Sequence, residues 1–196
     1  IATSMCHYDE AQAGRIEKLY RLTRVEKRHC VLLNDDRGVR SSQAFFEPAN
    51  GSATLGPPLS ARMERYEHHA PVLALEAAHM ALQSAGVAPE RVTHLITVSC
   101  SGFAAPGVDV ALIKELGLPP DTQRTHIGFM GCHAALNGLR VARAFVQGNP
   151  EAVVLLAAVE VCSVHYQYSA EDETNLANGL FSDGAGAFVL AAGGES

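Results

Sequence analysis

The chain has 196 residues, of which 47% are hydrophobic and 18% are charged, and its 15 Lys and Arg against 21 Asp and Glu leave a net charge of −6. This composition predicts a folded chain with a sizeable core, and acidity without runs of Lys or Arg argues against a nucleic-acid-binding protein. No stretch approaches the ~18 consecutive apolar residues of a membrane span and the polar opening is unlike a signal peptide, so we expect a soluble, cytoplasmic protein.

Two helices and a long loop are predicted in the first half of the chain. Residues 9–23 alternate apolar and charged side chains in the manner of an amphipathic helix with a basic outer face. The turn-forming residues of segment 34–59 predict a loop. Ser60 is a candidate N-cap for a helix that runs to about Ala85 and is stopped by Gly86.

The second half alternates between strand and helix patterns. Short apolar, β-branched runs separated by amphipathic segments predict buried strands in an α/β fold with a βαβαβ rhythm, in which helices pack on a mixed sheet. The predicted strands are residues 92–98, 125–129, 152–161 and 185–192, and the predicted helices are residues 108–116 and 132–147.

Cys132 is the strongest candidate for a catalytic residue. It follows a predicted strand and opens a predicted helix, where unpaired N–H groups and the positive end of the helix dipole stabilise a thiolate. The alternative is that Cys132 is a small buried hydrophobic residue. Met130 and Ala134 stand where a nucleophile elbow needs glycines, which disfavours an α/β-hydrolase. Five widely spaced cysteines without a C-x-x-C pair favour reduced thiols over disulfides or a zinc site.

Four blocks of sequence resemble one known family. They are Thr93–Ile96 leading to Ser101-Gly102 and Pro106-Gly107, Gly131–Ala135 with Gly138–Arg140, Val159–Ser163, and Leu180–Ala187. In order and spacing they resemble the amino-terminal half of a type III polyketide synthase of the chalcone and stilbene synthase type. The resemblance covers most of the chain from about residue 15 onward.

The resemblance implies a thiolase-like fold of two similar halves, in which residues 1–196 form the N-terminal domain. The cysteine at position 132 would take an acyl group from a starter acyl-CoA, and malonyl-CoA would be decarboxylated to extend it. The substrates are CoA thioesters, no further cofactor and no metal are expected, and the enzyme would be a homodimer. The histidine and asparagine of the family's active site would lie in the C-terminal half, so we expect the isolated chain to be inactive.

The resemblance also assigns pocket and CoA-binding residues. Cys100 and Ser101 match residues that line the starter pocket, and Cys100 replaces a threonine common in the plant enzymes. Ala105 stands where those enzymes often carry a methionine that reaches toward the partner subunit. Phe181 falls at a gatekeeping aromatic position between the CoA tunnel and the cavity. The basic residues of the family that meet CoA phosphates correspond to Lys18 and Arg21.

Each of these assignments has an alternative. Phe181 would otherwise be a core aromatic residue before a turn, and Lys18 and Arg21 part of a solvated helix face. For the whole protein, a ketoacyl synthase III-like enzyme shares the nucleophile but accepts malonyl groups from an acyl carrier protein. The first residue is Ile and the last apolar run stops shortly before the end, which indicates a piece of a longer protein. Such a half-fold could also persist as a non-catalytic, self-associating scaffold.

Overall fold

The structure is a computed structural model that describes residues 9–33, 43–47 and 56–193. The predicted loop over residues 34–59 lies largely outside these ranges. The chain forms two compact units, one made of Ile1–Glu64 with Val161–Asp183 and the other of Arg65–Glu160 with Gly184–Ser196.

A four-stranded sheet confirms the predicted α/β fold. The strands are β1 (His94–Ser99), β2 (Gln123–Gly128), β3 (Val153–Val161) and β4 (Asp183–Ala191). Their order in the sheet is β2-β1-β3-β4, and β1 pairs in parallel with both β2 and β3. The apolar runs of β1 and β3 are buried nearly throughout, which explains why their sequences do not alternate.

The helices of the second unit pack on this sheet and fix where its loops begin. They are α2 (Leu59–Ala85), which starts in the first unit, α3 (Val108–Leu116) and α4 (Ala134–Gly148). Gly138 lets α4 approach the sheet closely, because a Cβ at this position would lie 2.7 Å from Leu156 Cδ1. Three fully buried alanines of α2, namely Ala70, Ala74 and Ala78, allow this helix to pack closely.

Both ends of α2 can be compared with the prediction. Gly86 has φ +63° and follows the last helical residue, so the predicted glycine stop is confirmed. The prediction for Ser60 is wrong, because the helix already begins at Leu59 and Ser60 lies within its first turn. The difference is two residues, because an N-cap at Ser60 would start the helix at residue 61, and Leu59 itself is exposed.

The first unit pairs two helices, of which only one is predicted from the sequence. The predicted amphipathic helix is α1 (Glu10–Leu22), and its first turn is closed by a capping box between Asp9 and Gln12. It packs on α5 (Asp172–Leu180), where a Cβ on Gly179 would lie 2.8 Å from the ring of Tyr20. An ion pair between Arg15 and Asp172 joins the same two helices.

A buried arginine ties three other segments of this unit together. Arg62 is 7% exposed, and its guanidinium donates hydrogen bonds to the backbone carbonyls of Pro57, Val164 and Tyr166. It also lies 5.3 Å from the centre of the Phe46 ring, a cation–π distance. Burial lowers the pKa of Arg62 from its usual value.

Within the described ranges, no helix is both long and apolar enough to cross a membrane.

Candidate active site

Two loops meet at the carboxyl ends of the parallel strands β1 and β2. The register pairs Ser99 with Gly128, so the loops that begin at Cys100 and Phe129 leave the sheet side by side. Crevices at this edge of a parallel sheet are where ligands bind in α/β folds, because successive loops converge there. The predicted residues Cys132, Cys100 and Ser101 all lie on these two loops or directly after them.

Cys132 lies on a 3₁₀ turn, Gly131–His133, which connects β2 to α4. The predicted helix therefore begins two residues later than expected, and Cys132 stands just before it rather than in its first turn. Its thiol is exposed, which contradicts the alternative of a small buried hydrophobic residue. The first turn of α4 lies directly after the turn that carries this thiol, and its first N–H, that of Ala134, donates to the Gly131 carbonyl.

The backbone that presents Cys132 has an unusual conformation. Phe129 has φ +56° and Gly131 has φ +71°, so two residues of one short segment lie in the left-handed region. For a non-glycine residue such as Phe129 this region costs about 1–2 kcal/mol. Phe129 and Met130 are also 71% and 44% exposed, so burial of their side chains contributes little to holding the turn. Other contacts must keep it in place.

Cys100 supplies such contacts from the neighbouring loop. Its sulfur accepts a hydrogen bond from the Gly131 N–H at 3.2 Å, and its S–H faces the Gly131 carbonyl oxygen at 3.7 Å. The N–H belongs to the peptide bond before Gly131, and the carbonyl belongs to the peptide bond that joins Gly131 to Cys132. One sulfur atom thus contacts two successive peptide groups beside the candidate nucleophile.

Glu160 holds the Cys100 loop from the other side. Its carboxylate oxygens accept hydrogen bonds from the Cys100 N–H at 2.9 and 3.1 Å and from the Ser101 N–H at 2.8 Å. Hydrogen bonds to an ionised acceptor are stronger than neutral ones. Sequence reasoning gave Glu160 no role. The available signal was a single ionisable residue within the apolar run of β3.

Tyr66 of α2 packs beneath the same loop. Its ring is 2% exposed, and its hydroxyl donates to Ser99 Oγ at 2.8 Å. Burial is the main cause that raises the pKa of Tyr66; the hydrogen bond to Ser99 lowers it, and the nearby Glu160 carboxylate raises it further. Gly102 lies directly on the ring, since a Cβ there would be 2.2 Å from Tyr66 Cγ. Ser101 is buried beside it, whereas Ala105 is exposed further along the loop.

The remaining predicted site residues belong to the first unit. Lys18 and Arg21 are exposed on α1, one turn apart, and Arg21 forms an ion pair with Glu17 at 2.7 Å. Arg21 and Phe181 line the same cavity, whose volume is about 700 Å³. Phe181 is 52% exposed, so it is a cavity-wall residue rather than the core residue of the alternative.

Of the described residues, no three His, Cys, Asp or Glu side chains are grouped so that they could hold a metal ion.

Comparison with known proteins gives a consistent result. The family model "Chalcone and stilbene synthases, N-terminal domain" matches residues 3–194. Alpha-pyrone synthesis polyketide synthase-like Pks18 of Mycobacterium tuberculosis is 32% identical over 184 residues, which cover 94% of this chain and 44% of that protein. The chain thus spans about half the length of the curated relatives it matches.

Solved structures agree with the sequence comparison. PKS-I from the brown alga Ectocarpus siliculosus superposes with a TM-score of 0.85 at 34% identity, over 97% of this chain and 50% of that one. The 1,3,6,8-tetrahydroxynaphthalene synthase of Streptomyces coelicolor A3(2), a bacterial type III polyketide synthase, gives a TM-score of 0.75 at 28% identity, over 98% and 51%. The predicted thiolase-like fold is therefore confirmed.

Proposed function

The chain belongs to the chalcone and stilbene synthase family of type III polyketide synthases, whose N-terminal domain it carries, and we propose that it supplies the nucleophile of a condensing acyltransferase. In this proposal Cys132 is loaded from a starter acyl-CoA, and the acyl group is then extended with malonyl-CoA. The exposed thiol of Cys132, on a turn at the carboxyl ends of the parallel strands β1 and β2, is the observation that carries the proposal.

The proposed reaction has two covalent steps. The Cys132 thiolate attacks the thioester carbonyl, and the CoA thiolate leaves and takes up a proton, so that an acyl-enzyme forms. Malonyl-CoA then loses CO₂, and the resulting enolate forms a carbon–carbon bond to the acyl carbonyl while the Cys132 thiolate leaves. Both steps develop negative charge on a carbonyl oxygen, which hydrogen-bond donors must stabilise. We assign these donors, and the base that activates Cys132, to the histidine and asparagine of the family's C-terminal half.

Recognition of CoA is assigned to the first unit. Lys18 and Arg21 present two cations on one face of α1, which suits the phosphates of a CoA thioester. Arg21 and Phe181 line one cavity of about 700 Å³, so a phosphate-binding cation and a large aromatic ring share one concave surface. The proposal gives Phe181 the role of a gatekeeping wall, and gives Cys100, Ser101 and Ala105 the role of lining the starter pocket.

The assembly and location of the protein are also proposals. Phe129, Met130 and Leu136 are exposed apolar side chains around Cys132, which supports an interface between two copies of the protein. We therefore propose a homodimer that acts on CoA thioesters in the cytoplasm, without a metal or a further cofactor.

Acylation of Cys132 provides the test. The protein at its full natural length is incubated with a panel of acyl-CoA starters, with malonyl-CoA added in a second arm, and its peptides are analysed by mass spectrometry. We expect acyl mass on the peptide that contains Cys132, two-carbon extensions in the second arm, and neither in Cys132→Ala. The matched control Cys162→Ala removes a half-buried cysteine and should load normally.

Two other results would change the assignment. Labelling that persists in Cys132→Ala would refute the proposed nucleophile. Extension only from malonyl-acyl carrier protein, with none from malonyl-CoA, would favour the ketoacyl synthase III-like alternative. The isolated 196-residue chain is expected to form no condensation product, and product formation from CoA substrates by this chain alone would contradict the assignment of the remaining catalytic residues to a second half.

A further inference from the structure

We propose that Cys100 is a positioning residue for Cys132, and that its sulfur acts as a strap which holds the turn of the nucleophile against the neighbouring loop. The inference rests on the proposed function, because it concerns how Cys132 is presented to an acyl donor. It differs from the pocket-lining role that the family resemblance gives to Cys100, since it concerns the backbone beside the nucleophile and not the wall around the starter.

The contacts of the Cys100 sulfur are directed at backbone. Its lone pair meets the Gly131 N–H at 3.2 Å and its S–H meets the Gly131 carbonyl at 3.7 Å. A thiol can serve as donor and acceptor at once, and here both capacities are used on adjacent peptide groups. The second of these peptide groups contains the nitrogen of Cys132, so the carbonyl that the Cys100 S–H contacts belongs to the peptide bond that leads into the nucleophilic residue.

The strap is anchored on a rigid support. Three hydrogen bonds from the Cys100 and Ser101 N–H groups to Glu160 hold the backbone of the loop that carries the Cys100 sulfur. Glu160 itself lies on β3, which pairs directly with β1. The position of the Cys100 sulfur is therefore set by the sheet, and so is the position of the peptide that it holds.

The turn needs such a restraint. Phe129 has φ +56°, a conformation that costs free energy for a residue with a side chain, and it is 71% exposed. Neither local backbone preference nor burial therefore favours the observed conformation of the segment between β2 and α4. The Phe129 N–H donates to the Ser99 carbonyl at 3.4 Å, which holds the start of the turn, and the strap holds its end. Without the strap, the turn can relax at Gly131, and the Cys132 thiol would then shift relative to a bound thioester.

Such a shift affects an oriented reaction far more than an unoriented one. Misplacement of a reacting group by about 1 Å can cost about 100-fold in rate when the partner is held by the enzyme. A small, freely diffusing alkylating reagent has no fixed orientation, so its reaction with the same exposed thiol changes little. Binding of the CoA portion also changes little, because its proposed ligands Lys18 and Arg21 lie on α1. The strap therefore predicts a loss in the maximal rate of loading at a constant half-saturating concentration.

The experiment compares wild type, Cys100→Ala and Cys100→Ser in the protein at its full natural length. Single-turnover loading of Cys132 is measured against the concentration of a short-chain and a long-chain acyl-CoA, and alkylation of Cys132 by iodoacetamide is measured in parallel. For Cys100→Ala we expect loading to slow by about 10- to 100-fold with both starters and an unchanged half-saturating concentration. Alkylation should stay within about 3-fold of wild type, because it needs no fixed orientation.

Cys100→Ser is the conservative rescue. A hydroxyl also donates and accepts, so it can contact the same two peptide groups, and loading should recover to within about 5-fold of wild type. A purely structural loss would instead lower the melting temperature and expose the half-buried Cys30 and Cys162 to iodoacetamide in both variants.

Three results would overturn the inference. The first is loading at the wild-type rate in Cys100→Ala, and the second is failure of Cys100→Ser to recover. The third is a change confined to one starter, which would leave Cys100 with the pocket-lining role alone. If wild type reacts with iodoacetamide at Cys132 but is loaded by no acyl-CoA, the proposed function is refuted, and the inference that rests on it is refuted too. Failure of the inference alone leaves loading of the wild type intact, so the two results can be distinguished.

Discussion

Gly102→Ala tests whether the loop after β1 is seated on Tyr66. The added Cβ would lie 2.2, 2.4 and 2.6 Å from Tyr66 Cγ, Cδ2 and Cδ1. The ring cannot retreat easily, because it is 2% exposed and its hydroxyl is hydrogen-bonded to Ser99. Overpacking a buried site costs about 1–3 kcal/mol, and overlap with three ring atoms places this substitution near the upper end. We expect the free energy of unfolding to fall by about 3 kcal/mol.

A double-mutant cycle isolates the contact with the ring. Urea unfolding is measured for wild type, Gly102→Ala, Tyr66→Ala and the double variant. Alanine at position 66 removes Cγ and both Cδ atoms that the new Cβ would meet, so Gly102→Ala should cost less than about 1 kcal/mol in that background. The matched control is Gly14→Ala on α1, where an added Cβ meets nothing within 4 Å. This control should stabilise the helix by about 0.5–1 kcal/mol.

Equal costs of Gly102→Ala in the two backgrounds would refute this reasoning, since they would show that the ring is not what the methyl group meets. A free energy of unfolding that does not fall in Gly102→Ala, as is expected for the control, would refute it as well. A large loss in the free energy of unfolding would also show that the buried face of α2 supports the candidate site, because Ser101 precedes Gly102 and donates its N–H to Glu160.

Three further predictions concern the first unit. Burial raises the pKa of the Cys30 thiol above 9.0. Iodoacetamide should therefore alkylate Cys30 at least about 10-fold more slowly at pH 8 than the exposed Cys132. Equal alkylation rates would contradict the raised pKa of the half-buried Cys30 thiol. The pKa of Cys30 is higher in the folded than in the unfolded chain, so the stability that the protonated thiol contributes is complete below about pH 9 and is lost as the pH rises above that value. In urea unfolding at increasing pH, Cys30→Ala should therefore lose less free energy of unfolding than wild type. Arg62→Met keeps an unbranched side chain but leaves three backbone carbonyls without their donor, so the free energy of unfolding should fall by about 3 kcal/mol. A loss below about 1 kcal/mol would show that water replaces the guanidinium.

The sheet was predictable because its signals are local. The runs that form β1 and β3 are apolar along their whole length, and buried parallel strands require that composition. α5 was missed because Asp172–Leu180 contains Asn175, Asn178 and Gly179, which favour turns over helix in isolation. It forms where Gly179 admits the ring of Tyr20 and where Arg15 pairs with Asp172, and neither contact is visible within the segment.

In the candidate site, too, local features could be predicted from the sequence and contacts between distant residues could not. Cys132 could be found from its place between a strand and a helix, which is a local pattern. The contact between Cys100 and Gly131 joins residues 31 positions apart, and it follows from the parallel register that pairs Ser99 with Gly128. A βαβ prediction places both loops at one edge of the sheet, but a slip of one residue would turn the Cys100 side chain to the opposite face. The carboxylate of β3 bears on this ambiguity, because Glu160 accepts hydrogen bonds from the Cys100 and Ser101 N–H groups directly after the end of β1. A charged residue within an otherwise buried strand therefore marks which neighbouring loop it supports, and here that loop is the one that holds the nucleophile.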